Sequence, residues 1–187
     1  MIGNDIVDLK QAAKDSNWKR PRYLDKIYTK KEQGIIFSAK NQDQMVWLLW
    51  SMKEAAYKVN VQQFGKRFFN PKNLVCDLIS FKKGTVKIGN KNYFTCSETT
   101  EDYVYTVATL DNLSFYKSNC FKIEGLNYFT QSKFLKKKML KALNRSDLDI
   151  KKNKIGVPRA TLRHSKLYYS LSLTHHGNYS AYAIANS

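Results

Sequence analysis

Cysteine is scarce. The chain has three in 187 residues, Cys76, Cys96 and Cys120, odd in number and widely spaced. No CxxC pair occurs, so neither a disulfide framework nor a zinc site is expected, and a reducing cytoplasm fits best. Glycine (8) and proline (3) are few, while hydrophobic residues make up 43% and aromatic residues 13%. That balance excludes collagen-like, low-complexity and disordered chains. No apolar run approaches the roughly 18 residues of a membrane helix. Asp5 and Asp8 stand where an export signal needs a basic end and then an apolar stretch, so no such signal is expected. Acidic residues are the other shortage: 15 Asp and Glu against 32 Lys and Arg, a net charge of +17. The length suits one large domain or two small lobes, and no more.

What is present begins with that charge. Up to Phe115 there are 18 basic and 12 acidic residues; beyond it, 14 and 3. The halves therefore carry +6 and +11. Such a field attracts polyanions: nucleic acid, anionic lipid, phosphate-bearing cofactors or acidic proteins. Nucleic acid is the default partner for such a charge, yet no helix-turn-helix spacing, Cys/His finger or RNP-like aromatic motif accompanies it, so nucleic acid is not the partner expected. The Lys136-Lys137-Lys138 run reads as a solvated helix face, with a docking surface as the alternative.

Periodicity gives the elements. Residues 1–9 alternate as a short strand. Residues 11–40 hold charged helical pieces broken near Pro21. Residues 42–63 form a long helix, apolar at Met45, Val46, Leu49, Ala56 and Tyr57, with Gly65 as its stop. Residues 74–81, 84–97 and 103–110 read as strands of a meander, with Gly84 and Gly89-Asn90 as turn signals. Residues 131–144 read as a second amphipathic helix and Lys151–Pro158 as a loop. Residues 167–174 and 179–185 are apolar strands around a His175-His176-Gly177-Asn178 turn.

Single residues carry little. Glu54 and Lys58 share a helix face, but alone such a pair is an ordinary ion pair worth roughly 0.3–0.5 kcal/mol. Asp5, in an apolar strand, needs a metal, an arginine or a helix N-terminus if it is buried; a strand-end aspartate is the plainer alternative. Adjacent His175 and His176 point apart in extended chain, so a chelating pair is not expected. One solvated turn histidine is the plain reading, and a phosphate donor the functional one.

In combination these residues resemble the 4′-phosphopantetheinyl transferase superfamily. Gly3-Asn4-Asp5-Ile6-Val7 follows the form G-x-D-I-V. Trp50 to Lys58 gives W-x-x-K-E-A-x-x-K in full. Gly156-Val157-Pro158 is similar to a G-K-P loop, and Ser172-Leu173-Thr174-His175 to S-x-S-H. This motif order resembles the holo-acyl-carrier-protein synthases. Val7 agrees, because the larger surfactin-synthetase-activating enzymes usually carry a third acidic residue there.

The resemblance implies an α+β fold of two small lobes, each a helix with an antiparallel sheet, in pseudo-twofold arrangement. The lobes are expected at 1–112 and 113–187, forming one compact unit, in swapped order relative to the surfactin type. Short relatives are trimers with sites between chains; a chain supplying both lobes is expected to be a monomer. The implied reaction moves the phosphopantetheine arm of coenzyme A to a serine of an acidic acyl or peptidyl carrier, releasing 3′,5′-adenosine bisphosphate. Fatty-acid, polyketide and peptide-synthesis carriers share the serine-bearing segment, so the carrier stays open. The resemblance implies Mg²⁺ on Asp5 and Glu54, with water where Val7 offers nothing. It gives Glu54 a part in activating the serine, directly or through a water, and turns Lys58 to the phosphates. Lys53 either binds phosphate or only packs. His175 and Thr174 fall on the coenzyme A side. Val157 replaces the loop lysine, so that this cofactor contact is lost or moved, with Arg159 and Arg163 as the nearby replacements. The rival expectation is a lapsed, basic binding protein on the same fold, taking nucleotide or nucleic acid; Asp5, Glu54, Lys58 and His175 argue against lapse.

Overall fold

A computed structural model describes residues 1–68, 70–112, 115–123, 128–163 and 168–185. Strand β1 (Ile2–Asp8) leads into three short helices, α1 (Leu9–Asp15), α2 (Tyr23–Ile27) and α3 (Lys30–Ser38), and then the long α4 (Gln42–Phe64). A four-strand meander follows: β2 (Leu74–Leu78), β3 (Lys83–Ile88), β4 (Lys91–Thr99) and β5 (Tyr103–Thr109). The second part repeats the plan with β6 (Tyr116–Lys122), α5 (Tyr128–Ala142), β7 (Leu148–Lys152), β8 (Pro158–Leu162), β9 (Tyr168–His176) and β10 (Tyr179–Ala185).

The two antiparallel sheets have equivalent strand orders, β1-β5-β4-β3-β2 and β6-β10-β9-β8-β7. In each lobe the last strand returns to pair with the first. Both of those ladders are seven residues long, Ile2–Asp8 against Tyr103–Thr109 and Tyr116–Lys122 against Tyr179–Ala185. This is the expected α+β, two-lobed fold.

Local chemistry explains the elements that frame the site. The Asn41 side chain caps α4 by accepting from the Gln44 N–H at 3.0 Å. Gly65, at φ +67, closes that helix in the left-handed conformation. Between these ends α4 buries Met45, Val46, Leu48, Leu49, Met52, Ala55, Ala56 and Val59, enclosed by its own sheet and by α3. The sheets meet through β1, which lies against β9 and β10. Ile2, Ile6, Tyr105 and Val107 pack there on Tyr179, Ala181 and Ala183.

Several boundaries differ from expectation. β6 escaped notice because its sequence, Tyr-Lys-Ser-Asn-Cys-Phe-Lys, has no sustained apolar alternation and its side chains are mostly half-buried or exposed. The expected loop 151–158 is narrower, because Lys152 pairs with Pro158 in the β7–β8 ladder. His175 and His176 sit in β9, paired with Ser180 and Tyr179, so the turn is only Gly177-Asn178. Expected strand residue Leu167 lies outside the described residues.

Candidate active site

Gly3 decides how close β1 comes to α4. A Cβ at this position would overlap the Ala55 carbonyl oxygen, so only glycine lets the strand lie directly on the helix backbone. That contact brings Asp5, two residues on, beside the face of α4 that carries Glu54 and Lys58. Lys58 Nζ donates to the Asn4 carbonyl at 2.7 Å and to Asp5 Oδ1 at 3.1 Å. From the other lobe, Thr174 Oγ1 donates to the same carboxylate oxygen at 3.3 Å. Asp5 is buried, 8% exposed, and these donors answer its charge.

Glu54 has the more unusual environment. Burial raises its carboxyl to about 7; the Asp5 charge adds to the rise and Lys58 partly offsets it. His175 moves the other way. Burial lowers its imidazole below the ordinary value, and Lys58, His176 and Lys152 push in the same direction. Near neutral pH the site therefore pairs a carboxyl poised between its two forms with a neutral imidazole.

Two cavities meet here. One, of about 360 Å³, lies between the lobes and is walled by Lys58 and Arg67 on one side and by Lys136, Lys152 and Val157 on the other. The second, about 390 Å³, is bounded by Asp5, Asp15, Tyr23, Trp47 and Trp50. Glu54 and His175 line both. A basic chamber and an acidic, aromatic one thus share a boundary made of one group from each lobe.

The remaining expected residues fall elsewhere. Lys53 does not face this site. It is 1% exposed, and its Nζ donates to Glu32 Oε1 at 2.7 Å, to the Pro71 carbonyl at 3.1 Å and to the Leu74 carbonyl. Glu32 in turn accepts from the Cys76 and Thr29 N–H groups, each at 2.7 Å. Of the two readings for Lys53, packing is the one the geometry gives. Arg159 is exposed, stands over the Tyr168 ring at 4.8 Å and lines neither cavity. It is not brought to the chamber wall, where Val157 stands in place of the expected lysine. Arg163 is likewise exposed and lines neither cavity. Thr174 gives its hydroxyl to Asp5, which is a different task from holding a cofactor. Arg67 and Lys152 line the basic chamber without belonging to any motif in the sequence; Lys136, half-buried and first of the lysine run, lines it too, while Lys137 and Lys138 are exposed.

A family model for the 4′-phosphopantetheinyl transferase superfamily matches residues 1–108, more than half of the chain. The chain belongs to this superfamily. Among solved structures, it is similar to the holo-[acyl-carrier-protein] synthase of Thermotoga maritima at 12% identity and a TM-score of 0.46, over 86% of this chain and 82% of that one. No curated protein sequence matches. The family match covers the lobe with Asp5, Glu54 and Lys58 and stops before the lobe with His175. No helix among the described residues is long and apolar enough to cross a membrane.

Proposed function

We propose that this transferase-family chain moves the 4′-phosphopantetheine arm of coenzyme A onto a serine of an acidic acyl or peptidyl carrier protein. The observation that carries the reading is the shared boundary of the two cavities. Glu54 and His175 stand between a cation-lined chamber suited to a polyphosphate and an opening where Asp5 and aromatic rings wait. The +17 net charge supports it, since coenzyme A and carrier proteins are both anionic.

Asp5 and Glu54 line one cavity together, and two carboxylates completed by water and phosphate oxygens are the donor set that Mg²⁺ takes, so these two residues would hold it. When bound, Mg²⁺ supplies neutralisation of the pyrophosphate and alignment of its oxygens for in-line displacement. The chain's own groups do the rest. Lys58, held against the Asn4 carbonyl, presents a fixed positive charge at the chamber. His175, neutral, offers an N–H donor rather than a second charge. Glu54 can accept the serine proton, directly or through a water, as the serine oxygen bonds to phosphorus and the bond to the departing 3′,5′-adenosine bisphosphate breaks.

The test is incubation with coenzyme A, Mg²⁺ and apo carrier proteins, followed by intact mass. Gain of one phosphopantetheine group is expected. Asp5→Ala and Glu54→Gln are each expected to lower the rate by at least about 10²-fold, the scale of losing a principal electrostatic contact to the transition state. No gain on any carrier, including those of the chain's own organism, would leave the family membership standing and sink the reaction.

A further inference from the structure

The β7–β8 loop has a valine, Val157, where the resemblance implies a lysine; Val157 lines the chamber and is apolar and 9% exposed. The opposite lobe brings a cation to the same place. Beyond the Gly65 cap, Arg67 reaches across to the loop. Its Nε and Nη2 both donate to the Ile155 carbonyl, at 3.1 and 2.7 Å. The loop is shaped to offer that oxygen. Asn153 Oδ1 accepts from the Ile155 and Val157 N–H groups at 3.1 and 2.9 Å, and the Gly156 N–H donates to the Asn153 carbonyl at 2.9 Å. Gly156 leaves room for the guanidinium: a Cβ there would stand 2.9 Å from Arg67 Nη2.

We propose that Arg67 is the phosphate-binding cation of this loop, standing in from the first lobe for the lysine that Val157 displaces. A guanidinium has five N–H groups and keeps its charge at any physiological pH. Ile155 accepts two of them. No carboxylate pairs with Arg67 among the described residues. A carbonyl fixes the direction of the group but leaves its charge unanswered, and that charge lies on the wall of a chamber it shares with Lys58, Lys136 and Lys152. The three lysines are point charges on flexible stems; Arg67 is a planar fork already oriented, the geometry that suits phosphate oxygens. Because Arg67 and the loop belong to different lobes, an anion held here also ties the lobes together. The inference rests on coenzyme A being the occupant of the chamber.

Arg67→Gln keeps an amide donor on a shorter stem and loses the charge; Arg67→Lys keeps the charge. Thermal melting first shows that both are folded. The KM for coenzyme A and the calorimetric Kd of 3′,5′-adenosine bisphosphate are then measured for both variants and the unaltered protein. Arg67→Gln is expected to weaken both by roughly tenfold or more, the scale of one charge-assisted hydrogen bond, with kcat within about twofold. Arg67→Lys is expected to retain most of the affinity, and Val157→Lys to restore it in the Arg67→Gln background. Equal effects of Gln and Lys would show a loop clamp with no role for charge and overturn the assignment, as would unchanged affinity in Arg67→Gln. Unaltered protein that binds neither ligand would overturn the coenzyme A reading and this inference together, so the two failures are distinguishable.

Discussion

Glu54 connects the chemistry of the site to the stability of the fold. A carboxyl raised to about 7 from an ordinary 4.5 binds its proton more tightly folded than unfolded. Its contribution to stability is therefore complete below about 4.5 and is lost as pH rises towards about 7. Glu54→Gln removes the titration. With chelator present, to exclude any bound cation, the variant is expected to melt above the unaltered protein at pH 8, with a smaller difference at pH 5. Thermal melts at the two pH values check this, and a difference that ignores pH would show that Glu54 does not carry the shift. Glu54 and Lys58 were legible as a pair because four residues bring side chains to one helix face. Lys53 misled because neighbours in sequence stand about 100° apart around a helix. One step turns the side chain from the chamber into the Glu32 pair, where loss of either partner costs about 3–5 kcal/mol. Arg67 was illegible because nothing in a post-helix loop says which lobe its side chain will meet.

At the scale of elements, β1 is the edge strand of its sheet, and its free edge is closed by side chains rather than by another strand. The Ile2 N–H donates to Gln62 Oε1 at 3.2 Å, the Asn4 N–H to Ser172 Oγ at 3.0 Å and the Asp8 N–H to His176 Nδ1 at 3.0 Å. Two of the three acceptors belong to the second lobe, so Ser172 and His176 join lobes. His176 had no assigned role in sequence, since a strand-to-strand bond over 168 residues leaves no local pattern. Asp8 completes the junction. Its carboxylate accepts from the Gln11 N–H, capping α1, and from the Asn178 N–H of the β9–β10 turn, at 3.0 and 2.9 Å. Gly177 makes the approach possible, because a Cβ there would overlap Asp8 Oδ2, and its φ of +53 already favours glycine. Gly177→Ala is expected to destabilise the protein by about 1–3 kcal/mol. In an Asp8→Ala background the two closest contacts, to Oδ2 and Cγ, are gone and only the Cβ of residue 8 remains near, at 2.8 Å, so the double variant is expected to be more stable than the two losses added together, with a coupling of about 0.5–3 kcal/mol. Denaturant melts of the four proteins measure it. Strict additivity would mean that the turn and Asp8 are energetically independent.

The whole molecule is two copies of one plan with one site. Matching the two seven-residue ladders sets Asp5 against Asn119, and the adjoining strands set His175 against Thr99. The second lobe thus lacks the carboxylate, and the first lacks the histidine, that a mirrored site would need. Tyr103 and Tyr179, equivalent in the ladders, meet with ring centroids 4.9 Å apart. The repeat was foreseeable as helix followed by sheet in each half, whereas the polar β6 hid how closely the topologies agree. The consequence concerns assembly. Glu54 and His175 line the same cavities within one chain, and the face by which each lobe covers the other is already filled by Ile2, Ile6, Tyr105, Val107, Tyr179, Ala181 and Ala183. A neighbouring chain is not needed to complete the site, and a charge of +17 on each copy opposes association. We therefore expect a monomer. Light scattering is the suitable measurement, because a chain this basic adheres to gel-filtration resin and elutes late. It is expected to give 21.7 kDa at both low and moderate salt. A stable trimer, with Glu54 and His175 of each site drawn from different chains, would overturn the expectation and would require the contacts between β1 and β9 to form between molecules.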